Sequence, residues 1–382
     1  MDNATKHIIQ AIHDNPHRAV VVAAGAGTGA ISDLLSVAGA TRTMLEAIIP
    51  YSKAAFDDFL ELPPTQYVAS KTAALLAGRA ITRARWLENK DTPVIGLSCT
   101  ATIITDRPKR GEHRAHIALW HRDRLAMYEL HLQKGARDRA GEEDMVSRLM
   151  LNALAEGCGI DDRLDLPLLA GDRLETAVYD FVAAGEELEN GRLPYFGISP
   201  DGSIRHNPPR AILSGSFNPL HKGHLSMART ASKMLGHPIA FELSVTNVDK
   251  PPLPIADMHK RMAQFAGRWP IFASHAPTFV EKAMLYPNTT FVVGYDTAVR
   301  ILHPRYYDDS LANCHAALAA IKAQGCSFLI AGRVDDGGVF RDIAHLDIPP
   351  AFSKLFQAIP MTRFRKDVSS TELRRRGERG SR

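Results

Sequence analysis

Two histidines and a glycine turn lie together in segment 215–224, which reads G-S-F-N-P-L-H-K-G-H. An apolar run, 211–213, precedes the segment, and a helical pattern begins at Leu225. The first N–H groups of a helix lack partners within it, and with the helix dipole they attract anions. His221 and His224 are three residues apart, so they share one face of the first helical turn. The segment therefore predicts a phosphate site.

Glycine and proline shape this turn. Gly215 is expected to let the chain turn sharply and to let a ligand approach the backbone, while Pro219 stiffens the turn. An isolated H-x-x-H pattern is more often a pair of surface histidines in a loop. Here the glycine, the Asn-Pro pair and the passage from strand to helix all favour the phosphate site.

A second candidate phosphate site lies near the C-terminus, where 369–374 reads S-S-T-E-L-R. Its serine and threonine residues can cap a helix, and its N–H and hydroxyl groups can bind phosphate oxygens. Arg374 adds a forked, charge-assisted hydrogen bond. The string from Ser369 to Glu372 is also an ordinary capping box. Capping and phosphate binding are compatible, and both interpretations stay open.

Together the two motifs resemble those of the nucleotidyltransferase superfamily. Segment 215–224 resembles its (T/H)-x-G-H signature and is most similar to that of the nicotinamide-mononucleotide adenylyltransferases. Segment 369–374 resembles the I-S-S-T-x-(I/L)-R motif of the same family, with Val368 in place of the isoleucine. The resemblance implies that AMP passes from ATP to a pyridine mononucleotide, NMN or NaMN, with release of pyrophosphate. It also implies Mg²⁺ as cofactor, and ATP and a phosphorylated small-molecule acceptor as partners.

The family reaction needs no covalent enzyme intermediate, because the acceptor phosphate attacks the α-phosphorus of ATP in line. The enzyme supplies positioning and charge. By resemblance, His221, His224 and Arg374 are the catalytic residues. The nucleotide-binding residues carried over are Gly215, Ser216, Phe217, Asn218, Gly294, Asp296, Ser369, Ser370 and Thr371.

The acceptor side is less well marked. Lys250, in a loop after a predicted strand, and Arg261, on the following helix, are the candidates to bind the acceptor phosphate. The family tryptophan that stacks on the pyridine ring is absent after Asp296, where Tyr306 and Tyr307 are the substitutes. The identity of the acceptor therefore stays open.

Two other functions compete. A pantetheine-phosphate adenylyltransferase or a cytidylyltransferase would use the same motifs on another phosphorylated small molecule. A nucleotide-binding regulator without turnover would keep the motifs and lose the reaction. An aminoacyl-tRNA synthetase is disfavoured, since the chain has no K-M-S-K-S-like string.

Composition favours a soluble cytosolic protein of two domains. A chain of 382 residues exceeds one typical domain, and its 45% hydrophobic and 23% charged residues are ordinary. The net charge of +4 is small and partly lies in the C-terminal tail, so no nucleic-acid partner is expected. Four scattered cysteines without a C-x-x-C pair indicate neither disulfides nor a protein-held metal. No apolar segment predicts a membrane span.

Strand and helix patterns alternate through 210–382, which predicts a doubly wound, Rossmann-like parallel sheet with ligands at the carboxyl ends of its strands. The range 161–209 is expected to be a linker region that contains an acidic helix at about 174–189. Residues 1–160 also interleave strands and helices, so the whole chain belongs to the α/β class.

Residues 1–160 contain a second strand, glycine turn and helix, at 19–37. Ala24–Ala30, A-G-A-G-T-G-A, resembles the A-E-S-C-T-G-G turn of the CinA C-terminal domain, the nicotinamide-nucleotide amidase family. The family's nucleophilic serine falls on Ala26, and alanine has no atom that can attack an amide. This domain is therefore expected not to deamidate. Its expected roles are nucleotide binding, formation of a homo-oligomer, or support of the second domain.

Overall fold

The computed structural model describes residues 1–88, 92–107, 110–246, 251–335 and 337–365. The chain forms two compact units. The N-terminal unit comprises Met1–Ala183, Ser199–Ile204 and Phe265–Arg268, and the C-terminal unit comprises Ala184–Ile198, Arg205–Gln264 and the chain from Trp269 onward. No helix of the described residues is long and apolar enough to cross a membrane.

The N-terminal unit contains one mixed sheet of six strands. Its elements are α1 (Asn3–His13), β1 (Arg18–Ala24), α2 (Thr28–Ser36), α3 (Ala40–Thr43), β2 (Met44–Ile48), α4 (Lys53–Leu60), α5 (Ser70–Leu87), β3 (Val94–Thr102), β4 (His113–Trp120), β5 (Arg124–Leu132), α6 (Arg139–Gly157) and β6 (Arg173–Asp180). The strand order is β2-β1-β3-β4-β5-β6. The pairs β2-β1 and β1-β3 are parallel, and the remaining pairs are antiparallel.

Apolar residues make β1 and β3 buried interior strands of this sheet. In β3 every residue except the last is buried, as expected for a central strand covered on both faces. Gly96 allows α5 to pack closely, because a Cβ there would lie 2.3 Å from the Ala77 carbonyl oxygen. The sheet core is therefore set by short apolar runs.

The C-terminal unit contains an eight-stranded sheet. Its elements, with α7 at its start, are α7 (Phe181–Glu189), β7 (Tyr195–Ile198), β8 (Ile204–Arg205), β9 (Ala211–Ser214), α8 (Lys222–Leu235), β10 (Ala240–Ser244), α9 (Ile255–Met262), β11 (Ile271–Ser274), α10 (Phe279–Leu285), β12 (Thr290–Gly294), α11 (Tyr295–Leu302), α12 (Leu311–Ala323), β13 (Ser327–Ala331), β14 (Arg333–Val334), β15 (Phe340–Arg341) and β16 (Phe356–Ile359). The strand order is β16-β13-β12-β9-β10-β11-β7-β8, with a separate β14-β15 hairpin.

The first six strands of that order are parallel, and β7 is antiparallel to β11. The chain builds the sheet outward from β9, first through β10 and β11 and then, on the other side, through β12, β13 and β16. This is the doubly wound arrangement, and the predicted α/β class and parallel sheet are confirmed. Its topological switch point lies between β9 and β12, where such sheets open a ligand crevice.

The range 161–209 differs from an irregular linker. The stretch expected to begin an acidic helix at about residue 174 forms β6, paired with β5 through eight residues, and the helix α7 starts only at Phe181. Thr176, Val178 and Tyr179 favour strands, and the open edge of β5 offers them a partner. The later part of the range contributes β7 and β8 to the second sheet. Long-range pairing, which a local pattern does not contain, decides this segment.

Candidate phosphate-binding site

The switch point of the C-terminal unit brings two of the predicted segments together. The turn that begins at Gly215 follows β9, and Gly294 ends β12 and caps α11. Because β9 and β12 are neighbouring parallel strands, their carboxyl ends meet at one edge of the sheet. A Cβ at Gly294 would meet no atom of the described residues within 4 Å, so among them this edge leaves open space beside the backbone.

The conformation of the first turn differs from the expectation. The residue with positive φ is Phe217, at 42°, and its ring is only 1% exposed. Gly215 is needed for another reason: a Cβ there would lie 2.8 Å from the Phe217 ring. The glycine therefore makes room for a buried aromatic side chain, which packs edge-on against His224 at 5.1 Å. Ser216 and Asn218, on either side of Phe217, are exposed.

Hydrogen bonds from other elements hold this turn. Gly215 N–H donates to the Glu242 carbonyl on β10 at 3.0 Å. The Gln264 side chain accepts from Leu220 N–H at 2.9 Å through Oε1 and donates to the Phe217 carbonyl at 2.9 Å through Nε2. Gln264 thus braces both sides of the turn. Sequence reasoning missed this residue, because nothing in its local pattern indicates a contact so far along the chain.

Arg261 lies on α9 beside Gln264. Its Nη1 donates to the Ser216 carbonyl at 3.1 Å. The arginine expected to bind the acceptor therefore lies at the predicted phosphate turn, and its guanidinium is in contact with that turn. Its role toward an acceptor stays a prediction.

The two histidines meet at the start of α8, where His221 is the N-cap. Their rings stack with centroids 3.6 Å apart and planes 24° apart. The backbone N–H of His221 donates to Nδ1 of His224 at 3.3 Å. A ring nitrogen that accepts a hydrogen bond carries no proton, so neutral His224 carries its proton on Nε2. That N–H is a donor at the first turn of the helix.

Burial keeps both histidines neutral. Desolvation lowers the pKa of His221 from 6.5 to about 4, and desolvation, followed by the repulsion from His221, lowers the pKa of His224 to about 3. His221 is 6% exposed, and its Nδ1 is buried without a hydrogen-bond partner among the described residues. An unsatisfied buried polar atom destabilises the folded chain. A ligand that bonds to it, or that brings negative charge nearby, offsets this cost.

Asp296 lies in the first turn of α11, next to Gly294. Its carboxylate is paired with Arg333, on the β14-β15 hairpin that follows β13. The side chains are 61% and 44% exposed, and a pair this exposed is weak enough for a ligand to displace. Arg333 was not identified from the sequence, because only the sheet order brings it next to Asp296.

The proposed tyrosine substitutes are unequal. The hydroxyl of Tyr307 donates to the Ile301 carbonyl at 3.0 Å, and burial raises its pKa to about 12. Tyr306 is 37% exposed. Tyr307 therefore supports its own segment, and Tyr306 is the tyrosine with free surface.

Several predicted residues lie outside the described residues: Lys250, Ser369, Ser370, Thr371 and Arg374. Their assigned roles stay predictions. Among the residues that are described, no three His, Cys, Asp or Glu side chains converge as metal ligands.

A buried ion pair lies at β10, the strand that pairs with β9. Lys282 on α10 contacts both carboxylate oxygens of Glu242 at 2.6 Å, and Ser274 donates to the same carboxylate at 2.7 Å. Both charged residues are nearly inaccessible, at 3% and 0% exposure. Because the carbonyl of Glu242 also holds Gly215, this network supports the strand that anchors the phosphate turn.

The glycine turn of the N-terminal unit already holds an anion. Oε1 of Glu143, on α6, accepts from Gly27 N–H at 2.9 Å, Gly29 N–H at 3.0 Å and the Thr28 hydroxyl at 3.2 Å. Ala26, where the resembling family has its nucleophile, is 2% exposed. An internal carboxylate thus occupies the N-terminus of α2, the position that a ligand phosphate would take.

Comparisons with known proteins concern the two halves of the chain separately. Residues 212–376 match the cytidylyltransferase-like family model, which supports a nucleotidyltransferase activity in general. The N-terminal part has solved structural neighbours. A competence-damaged protein (CinA) superfamily protein from Escherichia coli is 18% identical, with 40% of this chain and 88% of that chain covered and a TM-score of 0.33. The competence/damage-inducible protein CihA from Agrobacterium tumefaciens is 16% identical, with coverages of 42% and 98% and a TM-score of 0.34.

At identities this low no property of those two proteins transfers to this chain. A comparison with curated protein sequences returned no match.

Proposed function

We propose that the C-terminal unit transfers AMP from Mg²⁺-bound ATP to a pyridine mononucleotide, NMN or NaMN, and releases pyrophosphate. The observation that carries the proposal is the stacked pair His221 and His224 at the first turn of α8, beside the switch point of the sheet. A helix N-terminus with two ring nitrogens suits an anion with several phosphates.

In the reaction, a phosphate oxygen of the acceptor forms a bond to the α-phosphorus of ATP, and the bond to pyrophosphate breaks. Negative charge grows on the leaving oxygens. In this proposal the Nε2–H of neutral His224 and the first N–H groups of α8 donate to this charge. As charge builds up, the pKa of each buried ring rises, since a nearby anion favours the protonated form.

The other residues complete the proposal. Ser369, Ser370, Thr371 and Arg374 hold the β- and γ-phosphates. Lys250 and Arg261 bind the acceptor phosphate.

Asp296 contacts the nucleotide after it leaves its weak pair with Arg333. Arg333 is then released close to the same edge of the sheet, where it can pair with phosphate instead.

A second candidate is cytidylyl transfer from CTP to another phosphorylated small molecule. The cytidylyltransferase-like family model favours it. The two reactions differ in the base recognised and share the phosphate chemistry of the histidines.

Pyrophosphate release tests the proposal. Purified protein with Mg²⁺ receives ATP or CTP, each with NMN, NaMN, phosphopantetheine or a phosphorylated alcohol. We expect turnover with ATP and one of the two pyridine mononucleotides. Loss of an electrostatic donor commonly lowers kcat by about 10²–10³, so His224→Ala is expected to lose that much.

The matched control is His237→Ala, since His237 follows the other end of α8 and lies outside the turn. Turnover with CTP alone would replace the proposal by the second candidate. Nucleotide binding without any pyrophosphate release would identify a regulator without turnover.

A further inference from the structure

A serine, a histidine and a glutamate meet on the face of the N-terminal sheet that α5 covers. Ser70 is the first residue of α5, and His116 on β4 lies directly opposite Glu129 on β5. Nδ1 of His116 lies 3.0 Å from the hydroxyl oxygen of Ser70, and the same hydroxyl donates to Oε1 of Glu129. The three side chains come from three separate elements, so the packing of α5 on the sheet brings them together.

This cluster of Ser70, His116 and Glu129 lies on the other face of the sheet from α6. Ala115 and Ile117, the neighbours of His116 on β4, belong to a core that includes residues of α6 and also Ala26. Successive side chains of a strand point to opposite faces, so His116 points away from that core. The cluster is therefore distinct from position 26, where the resembling family has its nucleophile.

Nearby polar side chains on the face covered by α5 have partners within the fold. The hydroxyl of Ser98 donates to the Ala73 carbonyl at 2.6 Å, and that of Thr100 donates to the Tyr67 carbonyl at 2.8 Å. His116 differs, because it is 5% exposed and its Nε2 is buried without a hydrogen-bond partner among the described residues. An unsatisfied buried nitrogen destabilises the folded chain. Support of the fold alone does not account for a histidine at this position.

The two contacts of Ser70 decide where the protons lie. Burial lowers the pKa of His116 from its ordinary value of 6.5, against a smaller opposite effect of the Glu129 charge, so the ring is uncharged at neutral pH and carries one proton. The single hydroxyl proton of Ser70 is donated to Glu129. His116 must then donate from Nδ1 to the hydroxyl oxygen. The Ser70 proton is thus already directed at a carboxylate.

We propose that Ser70 is a nucleophile and Glu129 its general base, in a second site that hydrolyses small activated carboxylic esters and is independent of the function proposed for the C-terminal unit. Both groups can be reached from solvent, since Ser70 is half-buried and the side chain of Glu129 is 34% exposed. The Nδ1–H of His116 stabilises negative charge on the attacking oxygen.

The start of α5 supplies the donors that an oxyanion needs. Ala69, at the N-cap, has no side-chain acceptor for the first N–H groups of the helix. These N–H groups and the helix dipole attract negative charge beside the nucleophile. A tetrahedral oxyanion formed at Ser70 is therefore stabilised by the backbone of the residues that begin α5.

In the reaction, the Ser70 oxygen forms a bond to the ester carbonyl carbon while its proton passes to Glu129. The bond to the leaving alcohol then breaks, and Glu129 returns the proton to the alcohol oxygen, which leaves an acyl group on Ser70. A water molecule next gives a proton to Glu129 and attacks the acyl carbon. The carboxylic acid departs as the Ser70 oxygen regains a proton from Glu129.

The choice of base selects the class of substrate. A carboxylate is ordinarily a weaker base than an imidazole, so it activates a hydroxyl less strongly. The alcohol of an activated ester leaves with little assistance, whereas the amine of an amide must be protonated as it leaves. An ester with a good leaving group therefore suits this site better than an amide.

Covalent labelling tests the nucleophile. A fluorophosphonate forms a bond from phosphorus to an activated serine oxygen and releases fluoride, and peptide mass spectrometry of the full chain identifies the modified residue. We expect modification of Ser70 in the wild type and its loss in Ser70→Ala. Ser52→Ala is the matched control, because Ser52 is an exposed serine at the start of α4 whose hydroxyl only caps the helix, accepting from Ala55 N–H at 3.1 Å.

Glu129→Gln tests the base. Removal of a general base commonly lowers a rate by about 10²–10⁴, so we expect labelling of Ser70 to be at least about 100-fold slower. Glu175→Gln is the matched control, since Glu175 is an exposed carboxylate opposite Glu129 on β6, and it should label at the wild-type rate. Thermal unfolding of each variant separates loss of the base from loss of the fold.

Hydrolysis tests the substrate class. We expect the wild type to release para-nitrophenol from para-nitrophenyl acetate, with an acetyl group detected on Ser70, and to leave para-nitroacetanilide uncleaved. A wild type that is not labelled at Ser70, an unchanged labelling rate in Glu129→Gln, or ester hydrolysis that persists in Ser70→Ala contradicts the proposal. Cleavage of the anilide as fast as the ester would overturn the assignment of the substrate class.

Discussion

The brace formed by Gln264 makes a measurable prediction. Its amide satisfies Leu220 N–H and the Phe217 carbonyl at 2.9 Å each, on both sides of a residue held at φ 42°. Gln264→Ala removes both bonds. At about 1 kcal/mol for each hydrogen bond, the turn loses about 2 kcal/mol of its local stability.

Amide hydrogen exchange measures this loss directly. A change of about 2 kcal/mol in the local opening free energy corresponds to about 30-fold faster exchange at Leu220. Gln264→Glu keeps an acceptor for Leu220 N–H and loses the donor to Phe217, so it is expected to fall between the wild type and Gln264→Ala. Gln357→Ala, an exposed glutamine on β16, is the control and is expected to change nothing at Leu220.

If exchange at Leu220 is unchanged in Gln264→Ala, other contacts hold the turn and the reasoning is refuted. If exchange rises equally at β12, the substitution has destabilised the whole unit and has no local effect. The expected result is a change confined to the turn, together with a higher KM for the nucleotide.

Three further predictions concern buried charge. His221 and His224 have pKa values lowered to about 4 and about 3, so between about pH 6.5 and pH 3 the folded state binds fewer protons than the unfolded chain. The unfolding free energy therefore falls as the pH falls. Denaturant titrations at pH 7.5 and pH 5 should show a smaller drop in unfolding free energy for the variant in which both histidines are replaced by Asn. Glu143→Ala leaves the N–H groups of its glycine turn unpaired and is expected to lower the stability of the N-terminal unit by about 2 kcal/mol, and a change below about 0.5 kcal/mol in thermal unfolding would contradict this. Lys282→Met leaves Glu242 buried without its partner and is expected to cost about 3–5 kcal/mol in urea titrations, most of which Glu242→Leu on the same chain should restore.

Local patterns were sufficient for much of the fold. The strand, glycine turn and helix at 19–37 lie within a few residues of their expected positions, as do the strand and the helix on either side of segment 215–224. Such elements can be predicted from the local sequence, because the spacing of apolar residues reflects whether one face or both faces of the element are buried. β6 is the exception, since its residues suit a strand only when the edge of β5 is available.

The candidate site shows the same division. His221 and His224 could be identified from their spacing alone, because a separation of three residues on the first helical turn brings both side chains to one face. Gln264 and Arg333 could not, since each reaches the site from an element far along the chain. The need for Gly215 was also misjudged: the glycine accommodates the Phe217 ring, a contact that only packing reveals.

The sequence by itself determined which residues are candidates to bind phosphate, and that Ala26 cannot replace a nucleophile. Those properties belong to residue types and their spacing along a few consecutive positions. Only the tertiary structure decided that the switch point between β9 and β12 brings segment 215–224 and Gly294 to one edge of the sheet, and that Glu143 fills the other glycine turn. The physical reason is that strand order and long-range hydrogen bonds depend on which distant segments pack together, and no local pattern specifies that choice.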